Sequence, residues 1–152
     1  MLMGQALAHR FIQMLRSSIP AALVLCLTTC VAPASAAEKC PITDEATAKA
    51  GGLANAVTAA VKAEFSCEGA FRILDLCQLG STADNALSEI VLTKCEPRFL
   101  PKALPATKAA YEKARAKCSK IAAKDGTMYQ GQAAVCLART ARDFARKYGT
   151  KS

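Results

Sequence analysis

The chain has 152 residues, eight cysteines, one histidine and a formal net charge of +8. This length is typical of one domain, and 52% hydrophobic with 21% charged residues is a globular composition that excludes wholesale disorder. An aromatic content of only 5% and the many alanines favour helices packed through small side chains over a β-sandwich.

Residues 1–36 have the composition of a secretory signal peptide. Arg10 and Arg16 precede a mostly apolar run over residues 19–31, and Ala34-Ser35-Ala36 then provides a small-residue cleavage site. The apolar run is shorter than the roughly 20 residues that a membrane-spanning helix needs. We therefore expect no transmembrane helix after processing.

Cleavage after Ala36 predicts a single mature domain over residues 37–152, in the periplasm or secreted. The alternative is lipoprotein processing at Cys30, although Thr29 before it is bulkier than the residue such a site normally has. Removal of the signal peptide also removes two cysteines, two arginines and the only histidine, His9. The mature chain then has six cysteines, and its 18 basic and 12 acidic side chains give a net charge of +6.

The loss of histidine limits the chemistry open to the mature chain. Without it there is no Ser–His or Cys–His couple and no histidine general base. The acidic residues are scattered and form no recognisable catalytic motif, and there is no Cys-x-x-Cys pair of the kind that zinc sites use. We therefore expect a protein that is not an enzyme and that has no cofactor or metal site.

Apolar residues at steps of three and four predict two helices in the first half of the mature chain. The first begins at Thr43, which can cap its amino terminus, and is weakened at Gly51-Gly52 before the pattern resumes at Leu53 and continues to Phe65. The second begins at Ser66 and ends at Gly80, which is well placed as a left-handed cap.

A third helix is predicted to open at Ser81-Thr82-Ala83-Asp84, where capping residues are followed by an early acid. Pro101 and Pro105 are expected to end it and to mark a loop. Its inner row has strict i+4 spacing and consists of Leu87, Val91, Cys95 and Phe99.

Two further helices complete the mature chain. The fourth closes at Asp125-Gly126, and the fifth begins at a Thr127-x-x-Gln130 capping box and ends before Gly149. The inner row of the fourth is Tyr111, Ala114, Cys118 and Ile121, and that of the fifth is Ala133, Leu137, Thr140, Phe144 and Tyr148. The pattern predicts an all-α fold, a small disulfide-stapled domain of about five helices.

Six cysteines in an exported domain indicate three disulfides. In an antiparallel helix pair, residues equally far from the turn lie side by side, which pairs cysteines around Ser81 and around Gly126; the third pair follows by elimination. The alternative is a Cys67–Cys77 bond, which requires a helix break at Gly69 because ten helical residues span about 15 Å. The expected pairs are Cys118 with Cys136, Cys67 with Cys95, and Cys40 with Cys77.

Basic residues follow one side of each of the last two helices. If the two rows merge, they make a face suited to an anionic partner such as phosphate, lipopolysaccharide or an acidic protein; the alternative is two solvated helix faces. No aromatic residue interleaves with them, so we expect no specific nucleic-acid binding. The lysine row is Lys113, Lys117, Lys120 and Lys124, and the arginine row is Arg139, Arg142 and Arg146.

Two loop segments also invite a functional interpretation. The proline-rich stretch from Cys95 to Pro101 is either a rigid recognition loop or a helix end with Phe99 and Leu100 in the core. Met128 and Tyr129 are either exposed binding anchors at a turn or fold back over the neighbouring disulfide. Because apolar residues are usually buried, we expect the second alternative for both segments.

Two groups of motifs resemble a known family. The first group is Cys67 and Cys77 followed by a helix with Asp84 and Leu87. The second group is Tyr111-x-x-x-Arg115-x-x-Cys118 with Cys136-Leu137-x-Arg139-x-x-x-Arg142. Together they resemble LprI-type lysozyme-inhibitor-like domains, which are small, exported, helical and disulfide-bonded, over residues 66–148. Cys40 and Cys95 are additional to that pattern. Gly80-Ser81-Thr82-Ala83-Asp84 with Cys95-Glu96-Pro97 resembles a group of exported bacterial proteins of unknown function.

Two functional hypotheses follow. The first is a non-catalytic binding protein of the cell envelope, whose partner is an anionic envelope component or a protein. The second, implied by the resemblance, is a lysozyme-inhibitor-like antagonist of an envelope hydrolase. A mature charge of +6 disfavours the second, because lysozymes are themselves basic and association is steered by complementary potentials.

Overall fold

A computed structural model describes residues 38–124 and 126–149 of the chain. These residues form an all-α, disulfide-stapled domain without β-strands, and the predicted signal peptide lies outside them. No helix in this part of the chain is both long and apolar enough to cross a membrane. The six helices are α1 (Asp44–Lys49), α2 (Leu53–Ala63), α3 (Cys67–Leu76), α4 (Ala83–Cys95), α5 (Pro105–Ala122) and α6 (Thr127–Tyr148).

The first predicted helix is two helices in the structure. As expected, the Thr43 hydroxyl caps α1 by accepting a hydrogen bond from the Ala46 N–H at 3.1 Å. The chain then turns at Gly51 and Gly52, whose φ angles of +72° and +136° lie in a region that side chains disfavour. The glycine pair therefore separates α1 from α2 rather than only weakening one helix.

The predicted end of the second helix at Gly80 is wrong by about one turn. The helix α3 ends at Leu76, and the loop that follows wraps around the carboxylate of Asp84. This buried carboxylate accepts hydrogen bonds from the backbone N–H groups of Leu79 (2.9 Å), Gly80 (2.9 Å) and Ser81 (3.3 Å). Gly80 does have a positive φ of +65°, but as part of this loop.

The inner row of α4 is buried as predicted, from Leu87 to Phe99. The helix itself ends at Cys95, and two 3-10 turns follow, Glu96–Arg98 and Leu100–Lys102, each with an early proline. Pro105, which was expected to end this segment, instead lies in the first turn of α5, where the missing N–H of proline is harmless.

The last helix, α6, packs against α3, α4 and α5. It begins at Thr127 after Gly126, without the predicted capping-box hydrogen bond from a side chain. Gly131 lies so close to α4 that a Cβ there would approach the Ser81 carbonyl oxygen to 2.5 Å. The predicted inner row was only partly right, because the buried face is mostly alanine: Ala133, Ala134, Ala138, Ala141 and Ala145, with Gly131 and Val135.

The described residues form three disulfides, and they are the three pairs expected from the sequence. The Cα–Cα distances are 4.9 Å for Cys40–Cys77, 4.8 Å for Cys67–Cys95 and 5.5 Å for Cys118–Cys136. The alternative Cys67–Cys77 bond is therefore not formed. Three disulfides in so small a domain indicate an oxidising, extracytosolic compartment.

An aromatic cluster lies at one end of the core, where the 3-10 turns pack against α5 and α6. The Phe99 ring lies 5.0 Å from that of Tyr111 and 5.8 Å from that of Phe144, between centroids. The Tyr111 hydroxyl donates a hydrogen bond of 2.7 Å to Glu96, and burial together with this carboxylate raises the pKa of Tyr111 well above its usual value. Phe99 thus belongs to the core, as expected, rather than to a recognition loop.

We predict that Asp84→Ala lowers the free energy of unfolding by about 3 kcal/mol, because three loop N–H groups lose a charged acceptor. Urea unfolding of the oxidised protein measures this change. The matched control is Asp44→Ala, which removes an exposed carboxylate from the first turn of α1 and is expected to cost less than about 1 kcal/mol. Equal losses for the two variants would mean that Asp84 does not hold the loop.

Candidate functional site

The excess positive charge lies in one segment, residues 102–124. This segment has seven basic side chains and one acidic side chain, a net charge of +6. The other described residues, 38–101 and 126–149, have ten basic and ten acidic side chains. The positive potential of the domain is therefore concentrated around α5.

The orientation of α5 exposes the lysine row. Tyr111 and Cys118 are buried on the side that faces α6, and the Cys118–Cys136 disulfide joins the two helices. Lys113, Lys117 and Lys120 lie on another side of α5, Lys124 follows two residues after the helix ends, and all four are exposed. From Lys113 to Lys124 the row covers eleven residue steps, or about 16 Å at the rise of an α-helix.

The lysine row is not neutralised by carboxylates in the described part of the chain. None of its four members forms a salt bridge there. The ammonium of Lys124 lies 5.2 Å from the centroid of the Tyr129 ring, a cation–π contact that leaves the charge in place. The row therefore presents exposed ammonium groups that have no carboxylate partner among residues 38–124 and 126–149.

The arginine row, in contrast, faces the acidic residues of α3. Arg139 pairs with Asp75 at 2.6 Å. Arg142 and Arg146 both pair with Glu68, at 2.8 Å and 2.6 Å. With Asp143, which pairs with Arg142, these carboxylates balance the three arginines, so the arginine row does not add to the charge of the lysine row.

Arg142 is the most deeply placed of these arginines, with a side chain only 16% exposed. Its guanidinium carbon lies 4.3 Å from the centroid of the Phe71 ring, and its Nε lies 2.8 Å from the Asp143 carboxylate. Burial raises the pKa of Glu68, but hydrogen bonds from Arg142 and Arg146 outweigh that effect and lower it below its usual value. This cluster therefore joins α3 to α6.

A second feature, which the sequence analysis missed, is the exposure of Phe65. We expected this residue on the apolar face of a helix, but it lies between α2 and α3 and is 100% exposed. The backbone on either side is extended, with φ and ψ of −67° and 130° at Glu64 and of −94° and 146° at Ser66. The Ser66 cap next to Phe65 was the available signal that Phe65 lies in a link between helices.

Hydrogen bonds hold the backbone of residues 64–66, here named the Phe65 turn. The Glu64 carboxylate accepts bonds of 3.0 Å from both the backbone N–H and the hydroxyl of Ser66, and these bonds lower the pKa of Glu64. The ammonium of Lys94 donates to the carbonyl oxygen of Glu64 at 2.6 Å and to that of Lys62 at 3.1 Å. The next residue is bonded to α4 through Cys67–Cys95.

The first turn of α6 differs from the expectation that both of its apolar side chains fold back. Met128 is 48% exposed, whereas Tyr129 is partly buried beneath Lys124. Among the residues that the structure describes, no group of three or more histidine, cysteine or acidic side chains could hold a metal ion. The two features with binding chemistry are thus the lysine row and the Phe65 turn.

We predict that the ion pairs of Glu68 make stability depend on pH. Because the pKa of Glu68 is lowered on folding, its contribution is present above the unfolded value near 4.5 and is lost as the pH falls through the folded value. Glu68→Gln is expected to lower Tm by about 4 °C at pH 7, with a difference that shrinks below pH 4.5.

Thermal unfolding between pH 3 and pH 7 measures this difference. The matched control is Glu89→Gln, which removes the same charge from an exposed side chain without an ion pair among the described residues, and whose Tm at pH 7 should stay within about 1 °C of the unsubstituted protein. A Glu68→Gln difference that does not shrink in acid would contradict the role of ionised Glu68.

Comparison of the chain with protein-family models, with curated proteins and with solved structures finds no match. The resemblance to LprI-type domains therefore rests on the motifs alone.

Proposed function

We propose that this protein is exported to the periplasm or beyond and acts there as a non-catalytic binding protein for an anionic component of the cell envelope. The contact surface is the lysine row of α5. The observation that carries this proposal is the separation of charge: residues 102–124 hold a net charge of +6, while the other described residues balance to zero.

The chemistry of lysine suits an extended anion with repeated charges. Each ammonium is a compact point charge on a flexible stem, so it follows phosphates or carboxylates without a fixed geometry. A row about 16 Å long spans several such groups. The disulfides support an extracytosolic location, and the signal-peptide pattern of residues 1–36 supports export.

We predict that replacing all four residues of the lysine row with glutamine weakens binding to vesicles containing phosphatidylglycerol by about 100-fold or more. Each lysine near an anionic surface contributes about 1 kcal/mol, and the four contributions act together. Vesicle sedimentation measures the affinity, with lipopolysaccharide as a second anionic probe. Binding by the unsubstituted protein should fall steeply between 50 mM and 500 mM salt.

A matched control removes the same number of positive charges from other positions of the domain. Four other exposed lysines lie outside residues 102–124, here named the basic segment: Lys39, Lys49, Lys62 and Lys147. Replacing these four with glutamine should weaken binding far less. If both quadruple variants lose affinity to the same extent, binding follows net charge alone and the lysine row is not the contact surface.

A second candidate function is the lysozyme-inhibitor-like antagonist of an envelope hydrolase, and the Phe65 turn favours it. Aromatic side chains that project from a rigid backbone are frequent anchors at protein interfaces. The turn also lies outside the basic segment, in the part of the chain where charges balance. Electrostatic repulsion between a basic lysozyme and this protein is therefore weaker for a contact through Phe65 than the net charge of the mature protein suggests.

We predict for this candidate that Phe65→Ala weakens inhibition of a lysozyme by about 30-fold or more, the loss expected of an interface anchor. Because the side chain is fully exposed, Tm should not change. The control is Leu104→Ala, which removes another apolar side chain, 71% exposed, far along the chain. Unlike binding through lysine, this inhibition should persist at high salt; absence of inhibition by the unsubstituted protein would exclude the candidate.

A further inference from the structure

A pocket of about 280 Å³ lies beside the lysine row, between α5, α6 and the residue that follows the end of α3 by two positions. Among the described residues, the side chains that line it supply two amides, one guanidinium and an apolar surface, and no carboxylate. They are Gln78, Ile121, Gln132, Val135, Cys136 and Arg139. The three polar side chains are all exposed, so a solute can reach them.

Two members of the lysine row lie next to residues that line this pocket. Lys117 comes four residues before Ile121 and is therefore its neighbour on the surface of α5. The Lys124 ammonium lies 5.2 Å from the centroid of the Tyr129 ring, and Tyr129 is the neighbour of Gln132 three positions later on α6. The α5 side of the pocket therefore carries positive charge that no carboxylate of the described residues pairs with.

The α3 side of the pocket offers hydrogen-bonding groups whose charge is already balanced. The Asp75 carboxylate pairs with one terminal nitrogen of Arg139 at 2.6 Å and accepts a hydrogen bond of 3.3 Å from the Gln78 amide. A guanidinium has several further N–H donors, and each glutamine amide has an oxygen that accepts. Gln132 lies seven positions before Arg139, on the same face of α6.

The apolar part of the pocket is aliphatic and sulfur-containing, from Ile121, Val135 and the disulfide of Cys136. No aromatic ring is among the described residues that line it, so it gives a nucleobase no surface for stacking. Hydroxyl groups match the polar lining better, because a hydroxyl both donates and accepts, as an amide does. The pocket thus combines a site for hydroxyl groups with positive charge at one edge.

We propose that this pocket binds the polyol part of a phosphorylated polyol, such as a sugar phosphate or glycerol phosphate. Lys117 and Lys124 bind the phosphate, since an ammonium is a point charge that suits it. The hydroxyl groups form hydrogen bonds with the two glutamine amides and the Arg139 guanidinium. This inference rests on the proposed function and narrows its anionic component to phosphate esters of polyols, whether they belong to a lipid head group or to a glycan.

The test is an amide NMR titration of the oxidised, isotope-labelled protein with glucose 6-phosphate and with methyl phosphate, which carries the same phosphate without the hydroxyl groups. We expect glucose 6-phosphate to bind about tenfold more tightly, because hydrogen bonds to the pocket add to the phosphate contact. Its shifts should centre on residue 78 and on residues 117–124 and 132–139. Equal affinities for the two phosphates, or saturable shifts only outside these residues, would overturn the proposal.

A parallel titration with glycerol 3-phosphate distinguishes the two sources of such a ligand. Tighter binding of glycerol 3-phosphate than of glucose 6-phosphate assigns the pocket to a lipid head group, and the reverse order assigns it to a phosphorylated glycan.

One substitution tests the hydroxyl contacts. Gln132→Ala removes an exposed amide from the pocket and should weaken binding of glucose 6-phosphate about three- to tenfold while binding of methyl phosphate stays unchanged. The matched control is Gln130→Ala, an exposed glutamine two positions away that points to another side of α6, and it should change neither affinity. Unchanged binding of glucose 6-phosphate by Gln132→Ala would overturn the proposal.

The variant with glutamine at all four positions of the lysine row separates this proposal from the proposed function. It should lose saturable binding of both phosphates. If it binds both as the unsubstituted protein does, the lysine row is not an anion contact and the proposed function fails with the pocket proposal. If it loses both while the unsubstituted protein does not prefer glucose 6-phosphate, the proposed function stands and the pocket proposal alone is wrong.

Discussion

The close approach of α4 to α6 is the constraint on which the rest of this structure depends. A Cβ at Gly131 would lie 2.5 Å from the Ser81 carbonyl oxygen, so only glycine permits this contact. The alanines that follow on α6 keep the two helices close, and Ala138 and Ala141 are completely buried. The Asp84 carboxylate holds the loop that precedes α4 and so places Ser81 against Gly131. Packing of this kind depends on small side chains and on a buried acid rather than on a large apolar core.

The position of α6 explains why the lysine row and the arginine row have different roles. One side of α6 faces α3, whose acids Glu68 and Asp75 lie within ion-pair distance of the arginine row. Arginine suits this position because its planar guanidinium can pair with a carboxylate and stack on Phe71 at once. The lysine row lies on and just after α5, which contacts α6 alone among the helices to any large extent. Its members form no salt bridge within the part of the chain that the structure describes. Basic residues that look equivalent in the sequence thus have different roles. Those of the arginine row on α6 pair with carboxylates, whereas those of the lysine row form no such pair among the described residues.

Local sequence patterns predicted most of the fold and the lysine row, but not the ion pairs of the arginine row or the exposure of Phe65. The all-α class, the Thr43 cap, the α4 inner row and the cysteine pairs follow from spacing, because helical periodicity and distance from a turn are local properties. The buried role of Asp84 does not follow, because an acid near a helix start is usually an exposed capping residue. Pairing of the arginine row depends on α3, about 70 residues away along the chain, and exposure of Phe65 depends on where one helix stops. Such features arise from tertiary packing, which one sequence does not reveal.

The exposure of Phe65 and that of the lysine row are not equally informative. Lysines are expected at the surface of any small domain, so only their segregation from the acids carries an argument. A single exposed apolar residue is also ordinary when it lies on a mobile segment. At Phe65, however, the Glu64 and Lys94 hydrogen bonds and the Cys67 disulfide restrain the backbone on both sides, while the side chain is fully exposed. Restraining a backbone costs conformational entropy. Because folding has already restrained the Phe65 turn, a partner that binds the ring does not incur this entropy cost on association. The restraint, rather than the exposure, supports the proposal that Phe65 is a binding anchor.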